Sequence, residues 1–97
     1  MKGISDIAVI GGGSWGTALV KIFLENTEKL NWFIRDSELI ENIQLKNRNT
    51  KYLRHVQLDI KKITMYSKIE EIIDSSDLLV IATPSPFIHK TFKEYKD

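Results

Sequence analysis

Residues 7–18, IAVIGGGSWGTA, contain the pattern from which the fold of this chain can be predicted. Its first four residues are uniformly apolar and predict a buried strand, and apolar residues resume with helical spacing after the glycines. Between these two elements, Gly11, Gly13 and Gly16 form the pattern G-x-G-x-x-G. A strand before this pattern and a helix after it are the context in which it predicts a dinucleotide-binding turn.

Each glycine of the pattern has a separate task. Gly11 can adopt the backbone angles of a sharp turn, Gly13 leaves room for a pyrophosphate, and Gly16 lets helix and strand approach closely. The helix is expected to begin near Ser14, where unpaired amides and the positive end of the helix dipole favour an anion. Glycines also serve turns that bind no ligand, so the flanking strand and helix are what favour the dinucleotide.

The composition places the chain among small globular proteins. Its 97 residues include 42% hydrophobic residues, enough for one domain with a core. Because no apolar run approaches the roughly 20 residues that span a bilayer and no signal peptide is evident, we expect a cytoplasmic protein without stable membrane insertion. The absence of cysteine and the wide separation of His55 and His89 argue against a metal site. A net charge of +1 argues against nucleic-acid binding.

The rest of the chain alternates between strands and helices. Strands are expected at residues 7–10, 30–34, 62–66 and 78–82, and helices at residues 14–26, 37–47, 67–75 and 87–95. With right-handed crossovers, this alternation predicts an α/β fold with a Rossmann-type parallel sheet in the order 3-2-1-4. The chain would then be the N-terminal part of a doubly wound domain.

Several local features refine this prediction. The fourth strand is uniformly apolar and is expected to be buried on both faces. Ser67 and Glu70 have the spacing of a capping box at the start of the third helix, which would turn Ile69, Ile72 and Ile73 inward. The first helix is expected to face the sheet with four apolar residues, Ala18, Leu19, Ile22 and Phe23.

The end of the second strand is where ribose recognition is expected, roughly 20 residues beyond the glycines. An acidic residue there accepts hydrogen bonds from the ribose hydroxyls, whereas an arginine pairs with a 2′-phosphate. Arg35 and Asp36 stand side by side at this point. Asp36 is also suited to be the N-cap of the next helix, and Arg35 has an alternative interpretation as a solvated surface charge.

Residues 11–18, GGGSWGTA, closely resemble the signature G-x-G-S-W-G-T-A of the bacterial-type NAD(P)-dependent glycerol-3-phosphate dehydrogenases. The stretches WFIRD at residues 32–36, NTKYL at residues 49–53 and SDLLVIATPS at residues 76–85 follow in the family's order. The resemblance covers nearly the whole chain, but family members are several times longer. It therefore implies their N-terminal, cofactor-binding portion.

The resemblance implies NAD or NADP as cofactor and Arg35 as the residue that distinguishes them. Trp15 would cover the cofactor or pack in the core, and Tyr52 would close over the site or be anchored in the core. Thr83, in place of the family's usual Val, and Pro84 would line the cofactor. The full set of expected cofactor-binding residues is Gly11, Gly13, Ser14, Trp15, Gly16, Arg35, Asp36, Tyr52, Thr83 and Pro84. The family continues Leu-Pro-Gly where this chain has Leu53, Arg54 and His55, which leaves the conformation of that loop open.

The activity implied by the resemblance is the interconversion of dihydroxyacetone phosphate and sn-glycerol 3-phosphate by hydride transfer, a step of phospholipid biosynthesis. The family's catalytic lysines lie in later regions, so no residue of this chain is expected to be catalytic, and the chain alone is expected to be inactive.

The oligomeric state stays open, with a homo-oligomer as one outcome. A stand-alone dinucleotide-binding or redox-sensing module is the alternative, and FAD or S-adenosylmethionine is a weaker alternative ligand. The reading frame beyond Asp97 would distinguish an enzyme fragment from a module.

Overall fold

The computed structural model describes residues 6–82 of the chain. Its elements follow in the order β1 (Ile7–Ile10), α1 (Ser14–Leu24), β2 (Leu30–Phe33), α2 (Ser37–Lys46), a short 3-10 turn (Ile60–Lys62), β3 (Ile63–Tyr66), α3 (Ile69–Asp74) and β4 (Leu78–Ile81). The strands form one parallel sheet in the order β3-β2-β1-β4, which confirms the predicted topology. The helix expected at residues 87–95 lies outside the described residues.

The helices cover both faces of the sheet. Val9 and Trp32 point to one face, where they pack in a core with residues of α1 and α2. Their neighbours Ile10 and Phe33 point to the other face and pack against α3. Helices on both faces of a parallel sheet are the doubly wound arrangement, with its switch point between β1 and β4. The carboxyl ends of these two strands mark the crevice in which such sheets bind ligands.

The rotation of α1 about its axis is set by Gly16. This residue packs against the backbone of the glycine turn, and the residues one and two helical turns further on, Val20 and Leu24, are then buried against the sheet. The expected face was only partly right, because Phe23 packs against this core whereas Ile22 is 56% exposed. Of the other expected core residues, Ala18, Leu19 and Phe23 are half-buried. The close approach of the glycine, and not the most apolar stripe, orients the helix.

The two ends of α2 follow from local chemistry. The Asp36 Oδ1 atom accepts hydrogen bonds from the amides of Glu38 at 2.9 Å and Leu39 at 3.4 Å, so the predicted N-cap is confirmed. At the other end, Asn47 has a φ of 60° and its amide donates to the carbonyl oxygen of Ile43. Asparagine tolerates this left-handed conformation better than most residues, which explains where the helix stops.

The predicted capping box before α3 was wrong. The helix begins at Ile69, so its N-cap is Lys68, which makes no side-chain capping bond. Ser67 therefore stands one residue too early, and Glu70 falls in the first turn of the helix rather than three residues after the cap. Glu70 and Glu71 still favour this end because negative charge interacts well with the helix dipole. Ile69 and Ile72 are buried, and Ile73 packs against their cluster as expected.

The fourth strand is less buried than its apolar sequence predicted. Within residues 6–82, β4 is an edge strand of the sheet, and Leu78 and Ile81 are 40% and 41% exposed. The expectation of full burial was therefore wrong for this part of the chain, because no described strand lies on the outer side of β4. No helix within these residues is long and apolar enough to cross a membrane.

Candidate functional site

The turn after β1 has the sharp geometry that its first glycine predicts. Gly11 has a φ of 128°, in the range that side chains other than glycine rarely adopt. Its amide donates to the carbonyl oxygen of Phe33 at 2.9 Å, so the turn leaves the sheet beside the end of β2. A Cβ on Gly12 would lie 3.0 Å from the side chain of Ile34. The turn and the segment that leads to Arg35 are therefore in contact.

Gly13 is a glycine for a different reason. Its backbone angles, φ −82° and ψ −163°, are extended and open to any residue. A Cβ built on it would meet no atom of the described chain within 4 Å, so the space beside it is open. Neither backbone strain nor packing against residues 6–82 requires a glycine at this position. A ligand that approaches the backbone closely would require one.

The N-terminus of α1 is exposed beside this open space. Gly13 is the N-cap and provides no side chain, and the first turn carries no acidic residue. Thr17 is the first residue of the helix whose amide has an intrahelical acceptor, the carbonyl oxygen of Gly13 at 2.9 Å. The amides of Ser14, Trp15 and Gly16 belong to the first turn, which an α-helix leaves without intrahelical partners. This end of α1 can therefore bind an anion.

Trp15 does not contribute to the core of the described part of the chain. It is 66% exposed at the start of α1, next to the glycine turn. Within residues 6–82 the indole of Trp15 has no core packing, and its position beside the turn suits contact with a flat ligand surface. Contact with a cofactor stays a prediction.

The carbonyl oxygens of the glycine turn are all held by side chains from elsewhere in the fold. The Nε1 atom of Trp32 donates to the oxygen of Gly11 at 2.7 Å, and the Nδ2 atom of Asn49 donates to that of Gly12 at 3.0 Å. The Oγ1 atom of Thr17 donates to the oxygen of Gly13 at 2.8 Å. The three side-chain donors belong to residues that are fully buried, so the turn is fastened from the protein interior.

Asn49 also organises the loop that follows α2. Its Oδ1 atom accepts hydrogen bonds from the amides of Lys51 at 3.0 Å and Tyr52 at 3.1 Å. The same side chain therefore bends the loop and fastens it to the glycine turn. This arrangement places the backbone of Tyr52 near the turn, while its half-buried side chain leaves both predicted roles open.

The end of this loop has its own conformation. Leu53 has a φ of 55°, and its carbonyl oxygen accepts a hydrogen bond from the amide of Val56 at 3.0 Å. Arg54 and His55 thus form the centre of a tight turn where the resembled family has Pro-Gly. His55 is exposed.

Arg35 and Asp36 follow β2 at the carboxyl edge of the sheet, where both are exposed. The Oδ1 atom of Asp36 makes both capping bonds to α2, so this residue has a structural role whether or not it contacts a ribose. Thr83 and Pro84, the other expected contacts, lie outside the described residues. No group of three or more His, Asp or Glu residues that could hold a metal ion occurs within residues 6–82.

Sequence reasoning missed the roles of Thr17, Trp32 and Asn49. Thr17 and Asn49 were noted only as members of the stretches that resemble the family, without a role of their own. Trp32 was interpreted as one of the apolar residues of a strand. One signal was present, because polar groups in otherwise apolar or turn-forming stretches must find partners when they are buried. Which partners they find depends on contacts across 21 and 37 residues of sequence, which no local pattern reveals.

Comparison with known proteins places the chain in a family. A family model described as NAD-dependent glycerol-3-phosphate dehydrogenase N-terminus matches residues 6–97. The glycerol-3-phosphate dehydrogenase (NAD(P)+) of Rickettsia bellii is 37% identical over 99% of this chain, and that of Neorickettsia sennetsu is 32% identical over 97% of it. The chain spans only 30% and 28% of the lengths of these two relatives.

A solved structure has the same fold. The crystal structure of glycerol-3-phosphate dehydrogenase from Coxiella burnetii superposes with a TM-score of 0.73 over 84% of this chain and 25% of its own, at 24% identity. At that identity the likeness supports the fold alone. Because the family match runs from residue 6 to residue 97, the chain belongs to the family of NAD-dependent glycerol-3-phosphate dehydrogenase N-terminal domains.

Proposed function

We propose that this chain is the NAD(P)-binding part of an enzyme that interconverts dihydroxyacetone phosphate and sn-glycerol 3-phosphate by hydride transfer. The observation that carries the binding half is the open space beside Gly13 at the exposed N-terminus of α1. Bare backbone amides at the positive end of a helix dipole suit the pyrophosphate of a dinucleotide. The choice of substrate is supported by the names of the relatives, which are glycerol-3-phosphate dehydrogenases.

Within this site, the pyrophosphate would lie on the turn formed by Gly11, Gly13 and the first turn of α1. Ser14 and Gly16 contribute amides of that first turn, and Trp15 covers the ligand from the outside. Tyr52, Thr83 and Pro84 complete the proposed set, as the family resemblance implies.

Arg35 would bind the 2′-phosphate of NADP, because a guanidinium forms charge-assisted hydrogen bonds with phosphate oxygens. Asp36 lies next to it and would accept hydrogen bonds from the ribose hydroxyls of either cofactor. Only one of its oxygens makes the capping bonds to α2, so the capping role leaves the other oxygen for such contacts within the described structure.

Hydride transfer to a ketone also needs a general acid for the carbonyl oxygen and cationic groups for the substrate phosphate. We assign neither role to a residue of this chain, because the family's lysines occur in later regions than the one this chain matches. The bound nicotinamide would supply the hydride. The chain's own residues would hold the dinucleotide and orient it.

We further propose that the protein acts in the cytoplasm, in phospholipid biosynthesis, that it does not bind nucleic acid, and that it forms a homo-oligomer. The near-neutral net charge of +1 supports the absence of nucleic-acid binding. Size-exclusion chromatography with light scattering would determine the oligomeric state, and fractionation of cells would determine the compartment.

The decisive experiment expresses the complete open reading frame that contains this chain. Purified protein would be assayed for oxidation of NADH and NADPH by dihydroxyacetone phosphate, with the Gly13→Ala variant as the matched control. We expect turnover by the wild type and a strong loss in the variant. Dinucleotide binding without turnover by the complete protein would instead favour the binding or redox-sensing module, and tighter binding of FAD or S-adenosylmethionine would contradict the proposed cofactor.

A further inference from the structure

We infer that Thr17, Trp32 and Asn49 are positioning residues of the proposed pyrophosphate-binding turn. They fix its polarity, by which we mean that the backbone carbonyl groups face the protein interior and the backbone amides face the ligand. This inference rests on the proposed function, because it assigns to the same site the residues that prepare it for an anion. None of the three is expected to touch the ligand. They act through the backbone of Gly11, Gly12 and Gly13.

The evidence is that three consecutive carbonyl groups are held by three side chains. The oxygens of Gly11, Gly12 and Gly13 accept hydrogen bonds from Trp32 Nε1, Asn49 Nδ2 and Thr17 Oγ1, at 2.7, 3.0 and 2.8 Å. The donors come from three different elements, namely β2, the loop after α2 and α1. All three donor residues have a relative exposure of 0%. The carbonyl groups therefore point into the protein.

The direction of the carbonyl groups determines the direction of the amides. In a planar trans peptide the C=O of one residue and the N–H of the next point in opposite directions. Holding the oxygens of Gly11 and Gly12 inward therefore turns the amides of Gly12 and Gly13 away from the buried donors. Holding the oxygen of Gly13 does the same for the amide of Ser14. Successive amides that face outward form an anion-binding concavity.

The alternative orientation would oppose binding. A peptide rotated by half a turn at Gly12 or Gly13 would present a carbonyl oxygen to the pyrophosphate, and two negative groups would then repel each other. Glycines are the residues that undergo such rotations most easily, since both halves of backbone space are open to them. A turn of three consecutive glycines therefore needs external restraints to keep one polarity.

Asn49 and Thr17 form a hydrogen-bond network in which every side-chain donor has a defined acceptor. Asn49 Nδ2 donates to the oxygen of Gly12 and, at 2.9 Å, to Thr17 Oγ1. Because Thr17 Oγ1 accepts this bond, its own hydrogen is directed to the oxygen of Gly13. The Oδ1 atom of Asn49 accepts two backbone amides of its own loop, which fixes the orientation of the amide group. Removal of the Thr17 hydroxyl would take away one of the two donors to the Gly13 oxygen, since the Thr17 amide still donates to it at 2.9 Å, and would leave Asn49 Nδ2 without one of its two acceptors. Removal of the Asn49 amide would release the oxygen of Gly12.

A substitution that weakens the binding of one ligand but not of another distinguishes this positioning role from simple packing. ADP carries a pyrophosphate and adenosine does not, so the polarity of the turn should affect ADP alone. Thr17→Val keeps the shape of the side chain but removes the hydroxyl, whereas Thr17→Ser keeps the hydroxyl. We expect Thr17→Val to lower the affinity for ADP about tenfold, with adenosine affinity unchanged, and Thr17→Ser to restore it.

The measurement is a titration of the complete protein with ADP and, separately, with adenosine. Binding is monitored through changes in NMR chemical shifts, which allow weak affinities to be quantified. Circular dichroism at the same temperature would establish that each variant is folded. Trp32→Phe provides a second variant, which removes the donor to Gly11 together with part of a buried indole, and it should lower the ratio of ADP to adenosine affinity in the same direction.

Three outcomes would decide the question. A lower ratio in Thr17→Val and Trp32→Phe, with recovery in Thr17→Ser, would support the inference. An unchanged ratio of ADP to adenosine affinity in the folded Thr17→Val and Trp32→Phe variants, which includes an equal loss for both ligands, would overturn the positioning role. The proposed function would be left intact. A wild-type protein that binds neither ADP nor NADH would overturn both.

Discussion

Gly16 lies directly against the carbonyl group of Gly11, five residues earlier in the chain. A Cβ on Gly16 would be 2.2 Å from the oxygen of Gly11 and 2.9 Å from its carbon. Atoms of the backbone cannot move aside as the end of a flexible side chain can. The contact ties the start of α1 to the end of β1, and it explains why the helix buries Thr17 and Val20 instead of Ile22.

The first prediction follows from this contact. Gly16→Ala should lower the free energy of unfolding by about 1–3 kcal/mol, because the added methyl group must push α1 away from the turn. Urea denaturation followed by circular dichroism would measure the change. Wild-type stability in this variant would show that the helix and the turn are not packed as closely as described.

The second prediction concerns the neighbouring glycine of the pattern. Gly13→Ala should lower the free energy of unfolding by no more than about 1 kcal/mol, because the position is extended and its Cβ direction is open, so that only the preference for glycine over alanine at an N-cap is lost. Binding of NADH should nevertheless weaken strongly, since the methyl group would occupy space needed by the pyrophosphate. Calorimetric titration alongside urea denaturation would measure both quantities. A folded variant with unchanged affinity would remove the turn from the binding site.

The third prediction concerns the choice of cofactor. Arg35→Ala should reduce the affinity for NADPH far more than that for NADH, because only NADPH offers a 2′-phosphate for hydrogen bonds worth about 1.5–3 kcal/mol. Fluorescence titration with both dinucleotides would measure the difference.

The control for this prediction is chosen from the structure. Asp36→Ala would remove the N-cap of α2 at a cost of about 1 kcal/mol, so it mixes stability with binding. Asp36→Asn keeps an oxygen that can accept the capping bonds while it removes the charge. If Asp36→Asn changes NADH affinity and Arg35→Ala has no effect, then Asp36 and not Arg35 recognises the adenosine ribose.

Features that depend on neighbours in the sequence were predictable. The strand order followed from the alternation of elements, and the N-cap at Asp36 followed from its place before an amphipathic segment. The rotation of α1 was not predictable from its apolar residues, because it depends on the contact between Gly16 and Gly11. The N-cap of α3 was predicted one residue too early because Ser67 and Glu70 fit a local motif that the chain does not form.

The same distinction holds for the site. The glycines were predicted as ligand contacts from their spacing, and Arg35 from its place at the end of β2 and from the family resemblance; their contact with a ligand stays a prediction. The residues that hold the turn could not be identified in this way, because Trp32 and Asn49 reach it only after the sheet and the loop have formed. A buried hydrogen bond of this kind is a property of the tertiary structure.

The fourth prediction concerns the edge of the sheet at the amino-terminal ends of β1 and β2, opposite the glycine turn. Lys29, just before β2, forms an ion pair with Asp6, just before β1, with 2.9 Å between Nζ and Oδ1. The hydrogen bond and the charge of Asp6, aided by Asp77, raise the pKa of Lys29 above its ordinary value of 10.5. Since the pKa is higher in the folded state, the pair contributes stability below the unfolded pKa and loses that contribution as the pH rises through the folded pKa.

The effect should be small, because Lys29 is largely exposed and salt screens the pair. In urea denaturation at low salt, Lys29→Met should be less stable than the wild type near neutral pH, and the difference should shrink above a pH of about 10.5. A difference that stays constant across this range would mean that the lost stability comes from packing and not from the charge.

The fifth prediction separates binding from catalysis. The 97-residue chain by itself should bind NADH or NADPH but should not oxidise either with dihydroxyacetone phosphate. The glycine turn and the segment proposed to bind the ribose lie within the chain, whereas the chain spans only about 28–30% of the length of its relatives from Neorickettsia and Rickettsia. Affinity should also be lower than in the complete protein, because the nicotinamide lacks further walls that would offset its loss of freedom on binding.

The test pairs a fluorescence titration with an absorbance assay on the same purified chain. Binding without turnover is the expected result, and Gly13→Ala should then remove the binding signal. Oxidation of NADH by the chain alone, abolished in Gly13→Ala, would contradict the assignment of catalysis to regions outside residues 1–97. In that case the lysines of the chain itself would have to be tested as the general acid, since a ketone reduced by hydride must still receive a proton.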